Sequence, residues 1–344
     1  MSNFSMQLLQ ALKGDSIYIE YNGNDEKKHS ILIDGGMPNI FQKSLKTIVS
    51  SIDSLEYIFI THIDRDHIGG ILKLLDSKYA DKIKNIYFNS GNLIGITNST
   101  LVSESDGISL VKHINESSTI KTNKKEITIE TQFDLNGLKI SFLSPTYDAI
   151  INFNKSFSLG KIKEEALISA SETIDTKETI FDLANIVFTE KKLIQDPANG
   201  VSLAMLLEYQ SKSILLLGDA KDSIVINALK EKGYSINNKL VVDYIKLSHH
   251  GSKFHTSNEL LNLIDCQHFL ISANGTNGHP NIETLARIIC HDERDNKQTL
   301  HFYFNYPKKQ YMDKGIRLLT EEEEKEYNCK CIYDKTLFIL ENES

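Results

Sequence analysis

One short stretch constrains this chain more than any other: Thr61-His62-Ile63-Asp64-Arg65-Asp66-His67-Ile68-Gly69-Gly70. An apolar run, Tyr57-Ile58-Phe59-Ile60, leads into it, and Ile68, Ile71, Leu72, Leu74 and Leu75 recur at helical spacing after it. That pattern predicts a buried strand, a turn, and a helix over about residues 67–79. Two imidazoles and two carboxylates crowd onto the turn, where the backbone can aim them at one point. His62 and Asp64 share a face at two-residue spacing, and Asp66 and His67 stand at the helix start. Such donors suit Zn²⁺, and also Mn²⁺ or Fe²⁺. The glycine pair lets another backbone approach closely. A surface loop with chance histidines would carry none of this order.

The rest of the chain supplies a scaffold and more candidates. Alternating residues 16–21 and 30–34, with a turn at 22–25, predict a hairpin, and residues 38–52 read as helical. Residues 86–88 form a short strand, and 126–130 with 138–143 a strand pair. A polar stretch, 152–190, is either a helical insertion or disordered, and the sequence leaves both open. Residues 202–209 and 214–219 predict a second hairpin. Strands at 244–247 and 268–272 then alternate with helices, the last over 280–290. Late strands at 300–304 and 337–340 enclose an acidic run at 321–324. No internal repeat is present.

Three further positions carry chemistry. Asp219 follows Leu215-Leu216-Leu217-Gly218, which poises a lone carboxylate at a sheet edge. In Leu247-Ser248-His249-His250-Gly251-Ser252 the adjacent histidines diverge if the backbone is extended, so one of them is expected to bind metal. His249, first after the strand, is the expected ligand, with His250 supporting it or touching substrate. His279, between Gly278 and Pro280 at a helix start, suits donation to a phosphate oxygen or protonation of a leaving group, or is a structural turn residue. Ser252 and His255 are weaker candidates, and His113 reads as a surface residue of an amphipathic helix.

Composition narrows the class. Lys+Arg 38 against Asp+Glu 46 gives a net charge of −8, which argues against a broad nucleic-acid surface but not against a local basic groove. The four cysteines, Cys266, Cys290, Cys329 and Cys331, are too few and too late for a disulfide framework, and are expected to be reduced thiols of a cytoplasmic protein. The start has no charged segment followed by an apolar one, and no apolar stretch is long enough for a membrane span, so no membrane association is expected. Neither a phosphate loop nor a nucleophile elbow occurs.

Six pieces in order resemble the metallo-β-lactamase-fold hydrolases, and within them the soluble hydrolase domain of ComEC-like competence DNA-uptake proteins. They are Gly14-Asp15-Ser16, Ile31-Leu32-Ile33-Asp34-Gly35-Gly36, the turn at 61–70, Leu215-Leu216-Leu217-Gly218-Asp219, Leu247-Ser248-His249-His250-Gly251-Ser252, and Ser272-Ala273-Asn274-Gly275 leading to Asn277-Gly278-His279-Pro280. The resemblance spans about residues 10–290. It implies an α+β, four-layer αββα sandwich over residues 1–310, with a variable insertion at about 92–200 and a C-terminal extension, 311–344, packing on it.

It also implies one or two divalent ions, Zn or Mn. His62 and Asp64 would take one, Asp66, His67 and His249 the other, with Asp219 bridging and Asp34 supporting by hydrogen bonds. Two departures stand out. Asp64 replaces the family's usual histidine, and the usual third-motif histidine is absent, because residues 68–218 hold only His113. The first ion site is therefore expected to be open, oxygen-rich and suited to Mn²⁺.

The activity implied is a metal-dependent hydrolase, first a phosphodiesterase or nuclease attacking with a metal-bound hydroxide. Asp66, His250 and His279 would be its catalytic residues. The alternatives are a lactone, thioester or peptide hydrolase, or a non-catalytic scaffold in an assembly. The expected partners are nucleic acid or a nucleotide, and a protein partner such as those of bacterial defence gene clusters.

Overall fold

The alternation of strands and helices resolves into two packed sheets with helices on their outer faces, in a computed structural model that describes residues 4–89, 102–158, 178–187 and 199–340. In chain order the strands are β1 (Ser5–Leu8), β2 (Ile17–Asn22), β3 (Lys28–Ile33), β4 (Leu55–Phe59), β5 (Ile83–Tyr87), β6 (Lys121–Thr122), β7 (Gln132–Leu135), β8 (Leu138–Ser144) and β9 (Ala204–Tyr209). They continue as β10 (Lys212–Leu216), β11 (Leu240–Val241), β12 (Tyr244–Lys246), β13 (Ile264–Asp265), β14 (His268–Ile271), β15 (Leu300–Phe304), β16 (Cys329–Ile332) and β17 (Leu337–Ile339).

The first sheet runs β17-β1-β2-β3-β4-β5-β6 and the second β16-β15-β14-β12-β10-β9-β8-β7, with β11 and β13 a separate pair. In each sheet an antiparallel hairpin, β2–β3 or β9–β10, feeds a parallel run. The candidate site residues cluster just past the C-terminal ends of β3, β4, β10 and β12.

Three apolar clusters account for the layering. Ile17, Ile19, Ile31, Phe59 from one sheet meet Phe142, Met205, Leu207 and Leu216 from the other, filling the space between them. The opposite face of the first sheet packs on α1 (Lys46–Ser51), α2 (Arg65–Leu75), α3 (Val102–Glu116) and α4 (Tyr147–Ser158). The outer face of the second packs on α5 (Ile180–Ala184), α6 (Asp222–Glu231), α7 (Asn258–Leu261), α8 (Ile282–Ile289) and α9 (Lys308–Asp313). This is the mixed α/β architecture expected from the sequence: β15 alternates in burial, while β3 and β9 are buried along most of their length, as strands covered on both faces are.

Several details differ from the sequence reading. Residues 126–130 are not a strand; β8 pairs instead with Gln132–Leu135. Ile127 alternates as a strand residue would, but its N–H and C=O are taken by the Asn89 side chain. Residues 41–45 make one π-helical turn before α1. The described parts of 152–190 hold the end of α4 and α5, while 90–101, 159–177 and 188–198, part of the expected insertion, lie outside the described residues. The acidic run opens α10 (Glu321–Glu326), where Thr320 and Glu323 form a reciprocal cap and the carboxylates face the positive end of the helix. β16 and β17 give each sheet an outer strand. Among the described residues, no helix is long and apolar enough to cross a membrane.

Candidate metal centre

Two glycine contacts bring the centre together. A Cβ on Gly14 would sit 1.6 Å from the Asp66 carbonyl oxygen, and one on Gly70 would sit 2.0 Å from that of Gly35. The glycines of three separate motif pieces therefore serve one purpose, backbone laid directly on backbone. Gly35 N–H donates to His67 O at 2.7 Å and Gly70 N–H to Gly36 O at 2.9 Å, which locks the start of α2 against the end of β3.

Asp219 lies at the middle of the centre. The Nε2 atoms of His62, His67, His249 and His250 lie 3.9, 3.6, 3.9 and 3.7 Å from its Oδ2. Asp64, the N-terminal flank of α2, places Oδ2 3.6 Å from His62 Nε2. Asp66 joins His67 and His250 in a set whose ligand atoms all lie within 4.8 Å of one another, as do those of His62, His67 and Asp219. Asp64 and His249 fall outside these sets: Asp64 approaches His62, and His249 approaches Asp219.

The expectation that the adjacent histidines diverge does not hold. Both have left-handed backbones, His249 at φ 45° and His250 at φ 58°, and in this turn both rings swing towards Asp219. That conformation costs a non-glycine residue about 1–3 kcal/mol and recurs where function demands it.

Hydrogen bonds fix the tautomers that matter. His67 Nδ1 lies 2.7 Å from Asp34 Oδ2, and His250 Nδ1 lies 2.8 Å from the Ser272 carbonyl oxygen. A carbonyl or carboxylate can only accept, so each Nδ1 carries hydrogen, and a ring that holds no second proton presents its Nε2 lone pair to the centre. Asp34, fully buried, also accepts from Thr61 N–H at 2.8 Å and Thr61 Oγ1 at 2.7 Å. Asp219 N–H donates to Ser202 Oγ at 3.0 Å, which orients the carboxylate from behind.

The residues fit a divalent cation on a direct criterion. His62 Nε2, His67 Nε2, Asp219 Oδ1 and Asp15 Oδ1 are buried without a hydrogen-bond partner. Each such orphan costs about 1–3 kcal/mol, and an ion among them would satisfy the lone pairs. The protonation pattern agrees. Burial pushes the Asp219 carboxyl up, but His249, His250 and His67 pull it well below the carboxylate range. Burial lowers His67, yet Asp219 and Asp34 hold it well above its ordinary value. Burial takes His249 down to about 4, despite Asp219. Protons here occupy places that a cation would compete for.

A cleft beside the cluster is lined by Lys13, Asp66, Asn274, Thr276, Asn277 and His279 together with His249 and His250. His279 Nδ1 is buried and unpartnered, and burial, with His249 and His250 nearby, pushes the ring down to about 3. His255 stands behind His249, its Nε2 3.4 Å from His249 Nδ1. Ser252 is buried in the same turn. His113 lies elsewhere, paired with Asp76 at the far end of α2 at 3.2 Å. The cysteines are free thiols, and burial pushes Cys329 up to about 11.

The sequence reading passed over Thr61, Asn199, Ser202 and Lys246. Asn199 Nδ2 lies 3.2 Å from His249 Nδ1, and Lys246 pairs with Asp15 under the centre. Only Lys246 left a trace, a lysine inside an otherwise apolar strand.

No curated protein matches this sequence. Among solved structures, the chain is similar to the metallo-beta-lactamase fold protein YhfI from Bacillus subtilis, at 10% identity over 98% of this chain and 99% of that one, with a TM-score of 0.45. It is similar to a diphosphatase from the PhnP family at 12% identity, covering 95% and 84%, with a TM-score of 0.40. It is also similar to Zn²⁺-bound PqqB from Methylobacterium extorquens at 10% identity, covering 94% and 87%, with a TM-score of 0.42. Likenesses this distant carry no argument about activity. Residues 10–86 match the model of the metallo-beta-lactamase superfamily, and this stretch contains Asp15, Asp34 and the whole turn from His62 to Gly70. The match extends over 77 of the 344 residues.

Proposed function

We propose that this protein is a metal-dependent phosphodiesterase, acting on nucleic-acid strands or nucleotide diesters. The observation that carries the reading is the cleft: next to the donor cluster, Lys13, Asn274, Asn277 and His279 offer polar groups beside Asp66, and the lining is mostly polar. A phosphate group, with its charged oxygens, suits such a lining better than an acyl chain does.

Divalent ions held by His62, Asp64, Asp66, His67, Asp219 and a histidine of the 249–250 pair would supply Lewis acidity and a nucleophile at neutral pH. The chain's own groups do the rest. Lys13 Nζ, 3.4 Å from Asp66 Oδ2, stands at the rim, where it can meet a non-bridging phosphate oxygen. His279 brings a buried, unpartnered Nδ1 to the cleft wall, from which it would donate to a phosphate oxygen or protonate the leaving group. His250 and Asp66 act through the ions they hold. A net charge of −8 favours short strands, nucleotide diesters, or delivery by a protein partner over long duplex DNA.

The test is hydrolysis of bis-p-nitrophenyl phosphate and of a labelled oligonucleotide by metal-stripped protein, with Mn²⁺, Mg²⁺ and Zn²⁺ restored separately. Cleavage that needs the ion and disappears in Asp219→Ala supports the reading. A protein that binds metal and opens lactones or thioesters instead, leaving both diesters intact, would overturn it.

A further inference from the structure

The missing third-motif histidine leaves the first ion site with a single imidazole, His62, beside Asp64 and Asp219. The structure contains a buried feature that compensates. Residues 199–202 run along one side of the centre: Ser202 Oγ lies 3.4 Å from His62 Nδ1, and Asn199 Nδ2 lies 3.2 Å from His249 Nδ1. His249 is therefore tied to the segment that also backs His62. His250 is tied elsewhere, by its Nδ1 to the Ser272 carbonyl, and its Nε2 groups with Asp66 and His67.

We infer that the adjacent histidines ligate different ions: His250 completes a site with Asp66 and His67, His249 completes one with His62 and Asp64, and Asp219 is shared. Two successive left-handed residues make this division possible. An extended backbone would send one ring away, whereas this turn brings both Nε2 atoms to within 3.9 Å of Asp219 Oδ2. With His249 the first site gains a second nitrogen and reaches four protein ligands, enough to close a tetrahedral shell. His255 supplies the support that a ligating imidazole needs. Ligation through Nε2 puts the hydrogen of His249 on Nδ1, which would then donate to His255 Nε2 at 3.4 Å instead of accepting from the Asn199 amide, and leaves the His249 Nε2 lone pair facing inward. The chain thus replaces a ligand lost from one strand end with an extra ligand on the neighbouring one.

The inference rests on the two-ion reading of the centre and not on the choice of substrate. It is tested by counting ions. Metal-free full-length protein is reloaded with Zn²⁺, desalted and analysed by mass spectrometry, and separately titrated with Co²⁺ while its visible spectrum is recorded. His249→Gly removes the ring yet suits the left-handed backbone, so the fold is retained; circular dichroism of the metal-free forms checks this. His250→Gly is its counterpart. Wild type should hold about two ions and each variant about one, with a different residual Co²⁺ spectrum in each because a different site survives. His255→Ala should keep both ions and weaken one by about 10–100-fold. Two ions of unchanged affinity in His249→Gly, or identical residual spectra in the two glycine variants, would overturn the assignment. Fewer than two ions in wild type would overturn it too, and phosphodiester cleavage by that one-ion protein would leave the proposed activity standing.

Discussion

Lys246 and Asp15 form an ion pair sealed beneath the metal centre, the lysine fully buried and the aspartate 2% exposed. The ammonium also donates to Gly218 O at 3.1 Å, the residue before Asp219, and Asp15 Oδ1 lies 3.4 Å from His250 Nδ1. Five aspartates converge here, and the lysine offsets part of their mutual repulsion. Burial raises the Asp15 carboxyl, but Lys246, followed by His250, draws it far below the usual carboxylate range. Lys246→Met leaves that carboxylate buried and unpaired, so it should cost about 3–5 kcal/mol in urea unfolding of the metal-free protein. Adding Asp15→Asn should recover most of the loss. A double variant as unstable as the single one would mean that the lysine acts through packing alone.

Asp34 should govern metal affinity without touching metal. It accepts from Thr61 N–H, Thr61 Oγ1 and His67 Nδ1, three donors on two oxygens. Asn at this position keeps the shape but turns an NH₂ towards one of those donors. Asp34→Asn should therefore release the His67 ring and weaken ion binding by about 10–100-fold, with the fold intact. Calorimetric titration with Zn²⁺ reads the change, and an unaltered affinity would show that His67 is held by packing.

How far the centre could be read from the sequence follows chain distance. The turn from His62 to His67 was legible because its donors are neighbours and its flanking apolar pattern is strong. Asp219 was legible because Leu215-Leu216-Leu217-Gly218 marks a strand end. What joins these pieces was not. Gly14 against Asp66, Gly35 against Gly70 and Lys246 against Asp15 are contacts between segments that no local pattern pairs. The orientation of His249 and His250 was misjudged because two left-handed residues in succession leave no compositional trace outside glycine. The strand expected at 126–130 failed for a related reason: alternation was present, but the Asn89 side chain supplied the hydrogen bonds of a partner strand.

Metal removal should lower stability as well as activity. His62 Nε2, His67 Nε2 and Asp219 Oδ1 are buried without a hydrogen-bond partner, and an ion among them would satisfy them. An ion present at about 100 times its dissociation constant adds roughly 2.7 kcal/mol to the folded state. Thermal melts of chelated protein should therefore rise by several degrees when Zn²⁺ or Mn²⁺ is restored, and Asp219→Ala should not respond. A melting temperature indifferent to both ions would remove the metal reading of the cluster.

Away from the centre, His29 makes the folded state sensitive to pH. It lies on β3 with Nδ1 2.6 Å from Glu56 Oε2 and Nε2 2.8 Å from Asp25 Oδ1, and it stacks on Tyr21. Burial lowers its pKa, but hydrogen bonds to Asp25 and Glu56 outweigh this and raise it above the ordinary value. The folded protein thus binds this proton more tightly than the unfolded chain does. The resulting stabilisation is complete below the unfolded value of about 6.5 and is lost as pH rises through the higher folded value. His29→Gln should accordingly cost more near pH 5.5 than near pH 9, by no more than about 1 kcal/mol because solvent screens the partly exposed pair. Urea unfolding of both proteins at the two pH values gives the comparison. A cost that does not change with pH would mean that His29 contributes as a neutral, packed ring and that its two carboxylate neighbours add nothing.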